Sequence, residues 1–217
     1  MAILALSTAA ETMVALQVRG QVFFRVNTER RKQAEFLVPL VNELLEEAGV
    51  EYKNLSRVAV ITGPGSFTGL RVGIATAQGI ALGVSVPCVG IDAFMLWRAA
   101  ARRSGITAPL AIALDTLRDD VFITAYDKMS RYERCLLDAQ VVTTPTAERL
   151  LNDNPYLSLT GDAYAQLPAH PFVPISHTVL AEALLDIAER IDPATAPAQP
   201  LYLRAPDVTQ PVNQNNA

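Results

Sequence analysis

The chain has 217 residues, and its 18 Lys and Arg set against 22 Asp and Glu leave a net charge of −4. With no long basic run, that balance excludes a chain that supplies a large nucleic-acid-binding surface by itself. Half of the residues are apolar, but no stretch approaches the roughly 20 uninterrupted apolar residues of a membrane span, and the start lacks a basic leader, so the expectation is a soluble, cytoplasmic protein without a membrane partner.

Strands are expected at 3–8, 12–19 and 22–28, separated by turns at Ala9-Ala10-Glu11 and Arg19-Gly20-Gln21, which makes an antiparallel meander. A helix over 34–48 follows, in which Phe36, Leu37, Leu40, Val41, Leu44, Leu45 and Ala48 form a wide apolar stripe. Gly49 ends it and Pro39 is placed to kink it. Next come a strand over 57–62, a helix of small residues over 70–83 and a strand over 86–91.

The order then repeats less cleanly. A linking helix over 93–103 ends at Ser104-Gly105, strands are expected at 110–114, 121–126 and 132–142, and 145–151 reads as helical. The apolar 156–160, a Gly161-Asp162 turn and a helix over 179–191 complete the pattern, and the tail 213–217 is expected to be disordered. Three antiparallel strands followed by crossover units, seen twice, imply α/β halves over 1–104 and 105–217. Each carries a mixed sheet, with a cleft between them that topology favours for ligands.

The run from Gly63 to Gly73, GPGSFTGLRVG, is the most informative feature, since it reads as strand, glycine-rich turn and helix. A helix start offers unpaired N–H groups and a positive dipole end, which favour an anion. Yet no lysine follows where a P-loop needs one, and Thr68 stands where a dinucleotide fingerprint needs its third glycine. Ser66 lacks the flanking glycines of a nucleophile elbow, because Pro64 and Thr68 occupy those places. A tight turn without a ligand stands beside the ligand reading. Within the helix, Gly69, Gly73, Ala77 and Ala81 recur every four residues, and Thr76, Gly79 and Gly83 make a second small row. Another backbone can come close to such a face, either this chain's own sheet or another chain.

Cys88 and Cys135 read as reduced, buried thiols rather than a disulfide frame. His170 and His177 sit in no Cys/His/carboxylate array, which argues against zinc or any other metal site. Arg30-Arg31-Lys32 reads as a solvated helix end, with a phosphate contact as the lesser alternative.

Together these residues resemble the bacterial TsaB (YeaZ) family of tRNA threonylcarbamoyladenosine biosynthesis. The resemblance rests on the GPGSFTGLRVG run and extends to Ile3-Leu4-Ala5-Leu6, Leu37-Val38-Pro39-Leu40-Val41, Gly161-Asp162 and Leu201-Tyr202-Leu203-Arg204. It implies an actin-like ATPase fold of two tandem RNase H-like βββαβα halves. It also implies a non-catalytic scaffold that supports the transferase TsaD, with TsaE joining the assembly and tRNA reached indirectly. No cofactor is expected on the chain alone; ATP or ADP with Mg is left to the complex with TsaD and TsaE. Monomer and homodimer both stay open for the isolated chain.

Departures from the family pattern matter. Ser7 stands where the opening strand usually carries an acidic residue, and a hydroxyl is a poor replacement for a carboxylate facing magnesium-bound phosphate. Gln33-Ala34-Glu35 replaces a His-Ser-Glu-like stretch, and Asp115-Thr116-Leu117-Arg118 only partly matches an Asp-Ala-Arg region, leaving Asp115 and Arg118 without an assigned role. A small-molecule kinase or ATPase of the same fold and a glycoprotease-like peptidase are the competing functions. The docking surface for TsaD is expected on the two helices over 34–48 and 70–83, side by side, through Phe36, Leu37, Leu40, Val41, Leu44, Leu70, Gly73, Ala77, Ile80 and Ala81. Gly65, Ser66 and Thr68 are candidates for an interface contribution to a nucleotide.

Overall fold

The computed structural model describes residues 2–29, 32–128 and 134–204. Arg30, Arg31, Tyr132 and the tail 213–217, on which expectations fall, lie outside the described residues.

Alternating apolar residues build the opening strands β1 (Ala2–Ser7), β2 (Thr12–Val18) and β3 (Gln21–Asn27), which pair antiparallel as the turns require. Helix α1 (Gln33–Glu47) then crosses to β4 (Leu55–Gly63), which lies parallel to β1. Helix α2 (Phe67–Val84) crosses to β5 (Cys88–Asp92), and the sheet order is β3-β2-β1-β4-β5. Helix α3 (Ala93–Arg103) links to a second sheet of β6 (Leu110–Asp115), β7 (Asp120–Tyr126), β8 (Cys135–Thr143) and β9 (Ser158–Gly161), ordered β8-β7-β6-β9. Helix α4 (Thr144–Asp153) precedes β9, and α5 (His177–Arg190) follows it. Parallel pairs β1/β4 and β6/β9 occupy equivalent places, so the repeated mixed-sheet pattern is present.

Each helix ends where its sequence dictates. Gly49 adopts φ +65°, and the Gly49 and Val50 N–H groups donate to the carbonyls of Glu46 and Leu45, closing α1 with a Schellman-type turn. Pro39 is tolerated within α1 on the exposed side. Ser66, Asp92 and Ser176 cap α2, α3 and α5 by accepting from N–H groups three residues on.

Three apolar layers result. One lies between α1, α2 and the outer face of the first sheet, around Leu4, Leu16, Val41 and Val60. The second fills the space between the sheets, where α3 and α5 pack with Ile3, Ala15, Ile112 and Leu114. The third lies under α4 on the second sheet. Helix α5, with its buried face of Leu180, Ala181, Leu184 and Ala188, packs mainly on the first sheet, above all on β1 and β2. A boundary near 104 separates the two sheets in sequence but does not divide the core.

Two expectations change. By length and composition α2 could cross a bilayer, although no such stretch was expected; its inner row, however, is buried against the sheet. Cys88 is half-buried and Cys135 exposed, rather than both buried, because each opens an edge strand, β5 of the first sheet and β8 of the second. The thiols are free, as expected.

The glycine loop, the C-terminal strap and the cleft

The turn between β1 and β2 and the turn between β4 and α2 are locked together. The Ser66 N–H donates 2.7 Å to the Ala9 carbonyl, and a Cβ on Gly65 would stand only 2.6 Å from Ala9 Cβ, so a residue without a side chain is required there. Buried Thr8 donates through Oγ1 to the Gly69 carbonyl at 2.8 Å. Ser66 Oγ in turn accepts from the Gly69 N–H at 3.2 Å. The Ser66 hydroxyl thus caps α2 through the Gly69 N–H.

A strap from the C-terminal segment closes the loop from the other side. The Leu201 N–H donates to the Thr62 carbonyl at 2.8 Å, the Gly90 N–H donates to the Ala196 carbonyl at 2.9 Å, and Gln78 Nε2 donates to the Ala198 carbonyl at 2.9 Å. Gly63, at φ +130°, has its α-carbon against the Leu201 carbonyl, with no room for a Cβ. Tyr202 stacks near Phe67 with ring centroids 4.9 Å apart, and its hydroxyl accepts from Arg71 Nε at 3.1 Å. The Arg71 guanidinium also sits 3.9 Å over the Phe67 ring. Arg204 pairs with Asp120 at the start of β7, so the strap touches both sheets.

Between the sheets lies a cavity of about 440 Å³, lined in part by Ser7, Glu11, Trp97, Asp115, Asp162 and Phe172. Its polar groups are largely engaged with each other. His177 Nε2 and Glu11 Oε2 are 3.0 Å apart, Asp162 Oδ1 accepts from the Asp115 N–H at 2.7 Å, and Asp115 Oδ1 accepts from the Leu117 N–H and from Gln166 Nε2, each at 2.6 Å. Asp115 thus shapes its own turn, in which Leu117 takes φ +62°, and the Arg118 carbonyl accepts from the same Gln166 amide at 3.2 Å. Neither Lys nor Arg is among the cavity's lining residues, whereas Glu11, Asp115 and Asp162 are. These carboxylates would repel a phosphate that carries no metal ion, and Asp115 and Asp162 already accept hydrogen bonds within their own turns. Among the described residues, no group of three or more His, Cys, Asp or Glu is placed to hold a metal ion.

The expected docking residues divide sharply by burial. Leu37, Val41, Leu44, Leu70, Gly73, Ala77 and Ala81 are buried in the chain's own outer layer, so they are not available to a partner. The reason is helix-on-sheet packing: the small row lets α2 lie close to β1, with Gly73 against the Thr8 hydroxyl. Phe36, Leu40 and Ile80 are half-buried, and Thr68 is exposed, whereas Gly65 and Ser66 are half-buried at the loop. The outward face of α2 carries a different row, Ala75, Gly79 and Gly83, and a Cβ on either glycine would meet nothing within 4 Å. Beside it Leu82 is 82% exposed, and on α1 Val38 is 44% exposed.

Sequence reasoning gave no role to Thr8, Gln166 or the strap residues Leu201, Tyr202 and Arg204. Each acts through a partner distant in the fold's connectivity, and the signal for the strap was the resemblance at Leu201-Tyr202-Leu203-Arg204, which marked the segment without giving it a contact.

The family described as "TsaD: tRNA N6-adenosine threonylcarbamoyltransferase" matches residues 27–191. A protein of Escherichia coli (strain K12) named "tRNA threonylcarbamoyladenosine biosynthesis protein TsaB" is 36% identical over 130 residues, 59% of this chain and 56% of that protein. The match therefore spans about half the length of that relative. A Haemophilus influenzae protein of the same name is 25% identical over 93% of this chain and 93% of its own length. Among solved structures, "YeaZ from Pseudomonas aeruginosa" superposes with a TM-score of 0.71 at 25% identity, covering 93% of this chain and 99% of that one. The shared architecture is the actin-like, RNase H-like α/β fold that the family resemblance implied.

Proposed function

The chain belongs to the tRNA N6-adenosine threonylcarbamoyltransferase family, in its TsaB (YeaZ) branch, and from that premise we propose that it serves tRNA threonylcarbamoyladenosine biosynthesis as a non-catalytic partner of the transferase TsaD. The observation that carries this reading is the outward face of α2. Ala75, Gly79 and Gly83 form an open, small-residue track beside exposed Leu82. A foreign helix can approach such a track closely, burying Leu82 and the half-buried Phe36, Leu40 and Ile80 at its margins.

The cleft supports a role other than catalysis. Its carboxylates are tied into turns and its lining carries no cation for a phosphate, so any ATP or ADP with Mg is held by the assembly with TsaD and TsaE. A role in tRNA modification fits a cytoplasmic protein.

Calorimetric titration of the chain with TsaD tests the proposal, read together with threonylcarbamoyl transfer in the reconstituted system. Gly79→Leu or Gly83→Leu should weaken TsaD binding about tenfold, roughly 1.4 kcal/mol, while melting no lower than the parent. Unchanged binding in both variants, or equal transfer with and without the chain, overturns the reading.

A further inference from the structure

A strand at the end of a sheet presents unpaired N–H and carbonyl groups unless something covers or interrupts it. The outermost strands here are β3 and β5 in the first sheet and β8 and β9 in the second. The C-terminal strap covers β5, where Val89 bridges Pro197 and the Gly90 N–H donates to the Ala196 carbonyl. The segment after β9 covers that strand, where Leu159 bridges Phe172 and its carbonyl accepts from the Val173 N–H at 2.7 Å. Strand β8 shifts register against β7 between Ile123 and Tyr126, and such bulges blunt an edge. Strand β3 has neither cover nor bulge: Gln21–Asn27 pairs with β2 without a shift, it contains no Pro or Gly, and among the described residues no strand lies on its outer side.

Which residues of β3 turn their backbone outward follows from alternation along the paired strands. The Val58 N–H donates to the Pro87 carbonyl, toward β5, so Leu4, opposite Val58 on β1, turns toward β4. Ala5 and Ala15 then face each other, Val14 faces Arg25, and Val22, Phe24 and Val26 are left with their N–H and carbonyl groups pointing away from the sheet. The Phe24 carbonyl agrees with this, since it accepts from Arg25 Nη1 at 3.0 Å. That guanidinium, also paired with Glu47 of α1, is the one guard on the edge.

Taken from its centre, β3 has the same pattern in both directions. Phe24 is flanked by Phe23 and Arg25, then by Val22 and Val26, then by Gln21 and Asn27. We propose that β3 is a self-association surface, through which two copies of this chain join antiparallel with Phe24 on a two-fold axis, continuing the first sheet from one copy into the other. Phe24 then pairs with Phe24 and Val22 with Val26, the residues whose groups face outward, and each pair exchanges two hydrogen bonds. Charge is complementary in this register: Arg25, the only charged residue of the strand, leaves its own Phe24 carbonyl and lies opposite the Phe23 ring of the second copy. A register centred on Arg25 would set like charges face to face. Helix α2 packs over β4, β1 and β5 and α1 over β2 and β3, so a dimer through β3 leaves the outward track of Gly79 and Leu82 open.

Sedimentation equilibrium of the full chain tests it, and a monomer–dimer equilibrium is expected between about 1 µM and 1 mM. Val22→Pro removes an outward N–H and no bond to β2, as an edge strand allows, and should raise the dimer dissociation constant at least about tenfold. Val26→Lys, which places a second charge on the edge, should weaken the dimer in the same direction. Gly79→Leu should dimerise as the parent does, and Val22→Pro should bind TsaD as the parent does, which separates this surface from the α2 face. Amide exchange of the unsubstituted chain supplies a reading that needs no variant: the N–H groups of Val22, Phe24 and Val26 should exchange more slowly at about 1 mM than at about 1 µM. A monomer throughout that range, a dimer that folded Val22→Pro leaves unchanged, or exchange at these amides that does not depend on concentration overturns the proposal.

Discussion

The Thr8 hydroxyl donates a 2.8 Å hydrogen bond to the Gly69 carbonyl, tying the end of β1 to the first turn of α2. One turn further along, Gly73 faces the same hydroxyl with no space for a Cβ. The small-residue row of α2 is therefore a fitting device for the chain's own sheet, and the open track around Gly79 lies on the opposite side of the helix.

Substitutions at the two glycines should separate these roles. Gly73→Ala forces Thr8 or the helix to shift and should lower stability by about 1–3 kcal/mol. Gly79→Ala meets nothing and removes an unfavourable helix-interior glycine, so a gain of about 0.5–1 kcal/mol is expected. Urea unfolding of both variants checks this, and similar effects at the two positions would contradict the assigned faces.

Removing the strap should destabilise the first lobe. Truncation after residue 192 deletes the bonds at Thr62, Gly90 and Gln78 and withdraws buried Ala198 from the outer layer. At about 1 kcal/mol per bond the loss is about 3 kcal/mol, which lowers Tm by about 6–12 °C in a protein of this size. A melting curve that superposes on that of the full chain would show that the strap is only laid on the surface.

Asp92 caps α3, and burial pushes its carboxyl above the usual value, opposed by the N–H groups of Met95 and Phe94. A carboxyl raised in the folded state holds its proton more tightly there than in the unfolded chain, whose value is near 3.8. Stability from this group is therefore greatest at low pH and falls as pH rises from 3.8 through the raised native value. Asp92→Asn keeps the cap without the charge, so it should match or exceed the parent at pH 7, with the advantage shrinking in acid. Asp92→Ala should lose about 1 kcal/mol from the missing cap. Thermal melts between about pH 3.5 and 7 are the measurement, a range that spans the ordinary carboxyl value.

Cys88 should be the slow thiol. Burial pushes it from 9.0 up to about 11, whereas Cys135 is exposed, with a smaller rise from its surroundings and Asp138. At pH 8 the Cys88 thiolate fraction is about 100-fold below that of a thiol at 9.0. Timed labelling with a thiol reagent, read by peptide mass, should mark Cys135 first, and faster labelling of Cys88 would contradict its burial.

Local chemistry was enough to place the strands and helices in order, the Gly49 stop, the tight turn after Gly63 and the repeated mixed sheets, because period, turn residues and caps act over a few residues. The small residues of α2 were legible as a row, but which row faced the sheet depended on Thr8, which lies 61 positions from Gly69. Likewise α5 reads as an amphipathic helix of the second half, and only packing assigns its apolar face to Ala5 and Met13 of the first sheet. Strand β3 is legible as a strand, yet that its edge stays uncovered while β5 and β9 are covered depends on where the segments around Pro197 and Phe172 run. Tertiary structure decided these points because burial and edge coverage depend on distances between residues remote in sequence.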